Sequence, residues 1–217
     1  MPYAPYLREM IMNINPTGDP DASAVLIYKN TKYLMDKDLK PLIKRGFLSI
    51  NILDFYLKEV TEVAICADIL EGWRLEESRN VSEGLVNVIR NSTKECVILI
   101  PLLKNKHFSL LECGWVAKEF RFYDCISDED RTTFVKKISK KLKEILNDIE
   151  FNVFQQWNFI VPQVTQQKRK TNCGVHALLH AQLVNNREDR SMMECFQPEN
   201  VEIFCNNLIE MSLISSY

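Results

Sequence analysis

The stretch CVILIPLLKNKHFSLLECGWVAKEFRFYDC, Cys96 to Cys125, decides how this chain folds. Its opening, Cys96 to Leu103, is a near-continuous apolar run of strand length, the pattern of a strand covered on both faces. HFSLLEC and WVAKEFRFYDC flank Gly114, and the order Glu119, Phe120, Arg121, Phe122 alternates with the period of two of a half-buried strand. Together these runs predict an antiparallel meander.

On either side the period changes to that of helices. SINILDFYLKEV, Ser49 to Val60, reads as a helix capped by Ser49, with Ile52, Leu53, Tyr56, Leu57 and Val60 on one stripe. The clearest helix is Thr133 to Ile149, whose Phe134, Ile138, Leu142, Ile145 and Ile149 share a face. AVLIY (Ala24 to Tyr28) and WNFIVPQV (Trp157 to Val164) are further strand candidates, and Cys173 to Val184 and Asn200 to Ile214 are helix candidates. Residues 61–94 read as more helix with loops. Strands separated by helices without regular βαβ alternation give an α+β fold with a central mixed or antiparallel sheet flanked by helices. No Pro/Gly/Ser-rich linker divides the chain, so residues 1–217 are expected to form one domain, with an irregular segment over 1–23.

Lys+Arg 27 against Asp+Glu 29 leaves a net charge of −2, so no global field draws the chain to nucleic acid or anionic membrane. The basic run KKISKKLKE, Lys136 to Glu144, alternates with apolar positions at helical spacing and reads as a solvated helix face. No run approaches the ~18–20 apolar residues of a membrane span. Seven cysteines, odd in number and without repeated spacing, indicate reduced thiols and hence a cytoplasmic or nuclear location, or delivery into a host cytosol.

In QQKRKTNCGVHALLHA, Gln166 to Ala181, Cys173 stands where a polar run becomes an apolar helix. A thiolate is the reactive form of cysteine, and the exposed N–H groups of a helix N-terminus favour it. The same N–H groups can hold an oxyanion formed when sulfur attacks a carbonyl. Gly174 leaves room for a substrate backbone. An isolated Cys-Gly is more often a core residue, so partners must decide. Of the three histidines, His176 and His180 share the helix of Cys173 and point along its axis. His107, at the start of a strand, is the remaining candidate base, although a surface histidine reads as readily there. Asp124 closes the next strand and can orient the imidazole, or can simply start a turn. Gln167 lies close enough before the thiol to direct its amide at the same oxyanion pocket.

With His107, Asp124, Gln167 and Cys173 in that order, the chain resembles the ubiquitin-like-protein proteases of the SUMO-protease type, in the same clan as adenovirus-type endopeptidases. HFSL is similar to the family's HWSL, YDC to its YDS, QQKRKTNCGV to its QQxxxxDCG, and GFLSINILDFYL (Gly46 to Leu57) to its WLND…INFYL. Motifs from residue 47 to 184 thus occur in family order, whereas residues 61–94 and the last thirty or so show no match by eye. The resemblance implies a papain-like cysteine protease fold and a thiol peptidase that cuts after a Gly-Gly-type tail held in an aromatic-walled tunnel. It implies a Cys173, His107, Asp124 triad with Gln167 at the oxyanion, and substrate contacts from Phe47, Phe108, Gln166, Asn172 and Gly174.

Phe47 and Phe108 replace the family's two tunnel tryptophans, Ile50 stands where the family carries an acid that pairs with an arginine on the modifier, and Asn172 replaces an aspartate. A ubiquitin-like modifier or its conjugates is the expected partner; no cofactor, metal, nucleic acid or membrane is expected, and the protein should be a monomer. Four rival readings remain. Cys173, His176 and His180 share a helix face as zinc ligands, but ligands spread over two turns rarely converge on one ion. A clan-related acetyltransferase using the same triad changes the reaction, and an endopeptidase processing a viral or mobile-element polyprotein changes the substrate. A non-catalytic binding module is disfavoured by four filled catalytic positions. The six cysteines other than Cys173 are expected to be dispensable for chemistry.

Overall fold

A computed structural model describes residues 25–29, 32–44, 46–60, 64–66, 97–126, 128–149 and 157–186, together with 87, 203, 204, 206 and 207. The predicted meander is the centre of a five-stranded sheet. Its strands are β3 (Ala64–Cys66), β4 (Val97–Lys104), β5 (His107–Gly114), β6 (Glu119–Tyr123) and β7 (Asn158–Ile160), in that spatial order. The β4, β5 and β6 strands pair antiparallel, and β3 and β7 add in parallel at the two edges. A separate hairpin of β1 (Val25–Lys29) and β2 (Lys32–Met35) precedes α1 (Asp36–Ile43) and α2 (Ile50–Val60).

Two-sided cover accounts for the apolar run. On one face Leu99, Phe108, Leu110 and Tyr123 join Ile52, Leu53 and Tyr56 of α2 and Val175, Leu178 and Ala181 of α4 (Cys173–Asn185). On the other face Ile98, Ile100, Leu102, Leu111, Phe120 and Phe122 join Val135, Ile138 and Leu142 of α3 (Glu129–Ile149). Successive residues of a strand point to opposite faces, so β4 must be apolar at almost every position. The middle strand β5 is buried along its whole length.

Local signals set several boundaries. Ser49 Oγ accepts the Ile52 N–H at 3.2 Å, the predicted cap of α2. The α3 helix begins earlier than the apolar periodicity suggested. Asp128 accepts the Asp130 N–H on its side chain at 2.9 Å, and acidic Glu129 and Asp130 complement the helix dipole. Of WNFIVPQV only Asn158–Ile160 is a strand. Within the region read as helix and loops, 64–66 is a strand, whose three residues are too few to show a period. The segment before residue 25 and the remainder of 61–94 except 87 lie outside the described residues, as does most of 200–214, where 203, 204, 206 and 207 are helical. Among the described residues no helix is long and apolar enough to cross a membrane.

A two-residue turn joins β4 to β5 and pairs Lys104 with His107. Both of its residues lie in the left-handed region, Asn105 at φ 51° and Lys106 at φ 63°, as a type I′ hairpin turn requires. Asparagine tolerates that conformation, whereas lysine loses about 1 kcal/mol there. Replacing Lys106 by Gly is therefore expected to stabilise the protein by up to about 1 kcal/mol, seen as a higher urea midpoint at unchanged slope.

Candidate active site

The sheet register brings the candidate groups together. Leu110 pairs with Tyr123, so the start of β5 and the residue after β6 lie at the same end of the sheet. His107 Nε2 lies 2.6 Å from Asp124 Oδ1, and both residues are buried. Asp124 Oδ1 also accepts the Ile126 N–H at 3.0 Å, a local turn of the kind aspartate starts, so both readings of this residue hold at once. Its second oxygen accepts Arg131 Nε–H at 2.6 Å. Burying a carboxylate is costly unless it is paired and hydrogen-bonded, and three donors converge on this one.

Cys173 is the first residue of α4, and the His107 ring and the backbone N–H groups of Phe108 and Gly174 favour its ionised sulfur. Burial opposes ionisation of this thiol, but those donors and the charge on His107 outweigh it and hold its pKa below the ordinary value. Burial likewise opposes charge on His107. Its hydrogen bonds to Asp124, Cys125 and Cys173, with the Asp124 charge, prevail and push it up to about 11. The two shifts favour a thiolate–imidazolium pair. The two other histidines are core residues: burial, aided by the charge of a neighbouring histidine, lowers His176 to about 4 and His180 to about 3. Among the described residues, the group of metal-ligand side chains that converges within 4.8 Å is His107, Asp124 and Cys125, not Cys173 with His176 and His180.

Gln167 stands beside this cluster. Its N–H donates to the Cys125 carbonyl at 2.9 Å, and its Oε1 accepts the Cys125 S–H at 3.2 Å. Gln166 is exposed and donates to the Val164 carbonyl at 3.1 Å. Asn172 occupies the N-cap of α4 without a side-chain capping bond; its carbonyl accepts the His176 N–H at 3.0 Å. The two phenylalanines read as tunnel walls differ in setting, since Phe47 is 47% exposed and Phe108 only 4%. Phe108 is engaged by the chain itself: a Cβ on Gly174 would lie 3.3 Å from its Cδ2 and 2.9 Å from Leu48 Cβ. Close packing of α4 on β5 and the segment before α2 thus requires glycine at 174, whatever a substrate needs.

Arg131 and Cys125 escaped the sequence reading. Asp128 followed by two acids was a legible start for α3, and it would have put Arg131 in the first turn near Asp124. Nothing local distinguishes Cys125 from Cys113, another buried free thiol.

A buried histidine beside a carboxylate and a helix-terminal thiol, on a helix-flanked mixed sheet, is an arrangement that cysteine peptidases use. A model of the Ulp1 protease family, C-terminal catalytic domain, matches residues 75–213, more than half of the chain, and the protein belongs to that family. The match takes in the C-terminal region where no motif was legible. The C-terminal Ulp1 protease domain solved in complex with Smt3, the yeast ortholog of SUMO, superposes with a TM-score of 0.79 at 14% identity, covering 97% of this chain and 95% of that one. The Ulp1-like SUMO protease catalytic domain of Chaetomium thermophilum gives 0.71 at 13% identity, covering 97% and 89%. At such identities the likeness is one of fold. No curated protein matches the chain.

Iodoacetamide should alkylate Cys173 with a pH midpoint below the ordinary thiol value of 9.0. His107→Ala should raise that midpoint, because burial then acts with less opposition; mass spectrometry of the labelled peptide against pH reads both. Gly174→Val should cost about 1–3 kcal/mol by overpacking, measured as a lower urea midpoint.

Proposed function

We propose that this chain is a thiol peptidase that cleaves after the Gly-Gly-type C-terminal tail of a ubiquitin-like modifier. The observation that carries this reading is the buried His107 ring, 2.6 Å from the Asp124 carboxylate and favouring the ionised Cys173 at the start of α4. In the proposed reaction the Cys173 thiolate attacks the carbonyl carbon of the terminal glycine, and the carbonyl electrons move onto oxygen. The Gln167 amide and the Cys173 backbone N–H receive that negative charge. The oxyanion collapses, the C–N bond breaks, and imidazolium passes its proton to the departing amine. Neutral His107 then takes a proton from water as the water oxygen attacks the thioester carbon; the C–S bond breaks, the free carboxyl terminus leaves, and the thiolate–imidazolium pair is restored. Asp124, fixed by Arg131 and the Ile126 N–H, keeps the ring oriented throughout.

The choice of a ubiquitin-like substrate rests on family membership and on the similar yeast domain, which was solved with the SUMO ortholog bound. Exposed Ile50 and Phe47 give this chain an apolar surface at the N-terminal end of α2. Ile50 stands where the resembling proteases carry an acid, so the modifier it prefers need not present a matching arginine.

A panel of C-terminally electrophilic probes built on ubiquitin, SUMO and other modifiers tests the proposal. We expect a covalent adduct on Cys173 with at least one probe, none in Cys173→Ala, and turnover of the matching fluorogenic substrate lowered about 10²–10³-fold in Gln167→Ala. Turnover should rise with pH through the lowered pKa of Cys173 and fall as His107 loses its proton near pH 11. A folded protein that reacts with no probe, or an adduct that persists in Cys173→Ala, would refute it.

A further inference from the structure

We propose that Cys125 is a positioning residue for the oxyanion donor, its S–H fixing the carboxamide of Gln167 in the orientation that turns the N–H groups toward the reaction. This rests on the role given above to Gln167. A glutamine carboxamide has two nearly equivalent orientations about its last torsion, which exchange the oxygen and the NH₂ group. Only one of them presents donors to a developing negative charge; the other presents a carbonyl oxygen and repels it.

Residue 125 holds residue 167 at both ends. The Cys125 carbonyl accepts the Gln167 N–H at 2.9 Å, which fixes the backbone, and the Cys125 Sγ stands 3.2 Å from Gln167 Oε1, which selects the orientation of the amide. A thiol donates one hydrogen bond and accepts weakly, so the S–H favours oxygen at that place over NH₂. Burial raises the Cys125 pKa against the pull of His107, so the proton needed for donation is present at neutral pH. The sulfur also lies within 4.8 Å of ligand atoms of both His107 and Asp124. The adjacent pair Asp124 and Cys125 therefore orients both halves of the machinery, the first through the base and the second through the oxyanion donor. This assigns a task to a thiol that the sequence alone gave no reason to separate from five others.

The test compares Cys125→Ala, Cys125→Val and Cys125→Ser with wild type on the cleaved fluorogenic substrate, alone and in the Gln167→Ala background. Loss of the donor should lower kcat about tenfold, a part of what loss of the whole amide costs. KM should stay within twofold, because the oxyanion exists only in the transition state. Serine, which retains an O–H donor, should restore most of kcat, and neither Ala nor Val should lower it further once Gln167 is gone. Valine fills the space without donating, so it replaces alanine in the comparison if the alanine variant does not fold. Wild-type kcat in the folded apolar variants, or an equal loss with and without Gln167, would overturn the proposal. Cys173→Ala and Gln167→Ala assayed in parallel separate this outcome from failure of the site itself. If either keeps full turnover, the reading of the active site falls; if both are impaired and Cys125→Ala and Cys125→Val are not, only the role of Cys125 does.

Discussion

The buried imidazole of His107 stands between a carboxylate and a thiol, and the arrangement of the described structure around it serves to make that position tolerable. A charged ring removed from water is costly unless its charge is met on the spot. Asp124 meets it at 2.6 Å, and the carboxylate is itself held by Arg131 and by the backbone of Ile126. Each group is secured by the next, so the ring has little freedom to turn away from the sulfur. Partial satisfaction of such a chain would be worse than an apolar core, which is why every visible oxygen of the carboxylate is occupied.

Rigidity at this point derives from the sheet. The β5 strand is covered on both faces, and the tight turn at Asn105 and Lys106 sets its first residue opposite Lys104. A slip of one residue would send His107 to the other face and undo the site, and two cores of opposite parity forbid that slip. The α4 helix is then seated against the same strand by the close approach at Gly174. The helix terminus bearing Cys173 and the strand terminus bearing His107 are in this way fixed relative to one another by packing as well as by polar contacts.

The loop that carries Gln167 is attached to this frame through Cys125. The residue after β6 and the residue following it thus serve different partners, and a turn only two residues long links the base to the proposed oxyanion donor. Arg131, from the first turn of α3 on the opposite face of the sheet, closes the arrangement from behind.

The sequence alone determined the meander, the Ser49 cap and the buried helix beginning at Cys173, and it offered His107 and Asp124 as candidates, because period, capping and residue type are local properties. The α+β class followed from the same signals, and the family resemblance from the motifs HFSL, YDC and QQKRKTNCGV. The sequence placed β1 at AVLIY but not its partner β2 or α1 with its internal Pro41, and it read the region of the short edge strand β3 as helix with loops, because three residues are too few to show a period. Only the tertiary structure decided that Phe108 faces inward against Gly174, that Arg131 reaches Asp124, and that Cys125 grips Gln167. Those contacts join segments of different elements, and distance in space between them is fixed by packing, which no pattern along the chain records.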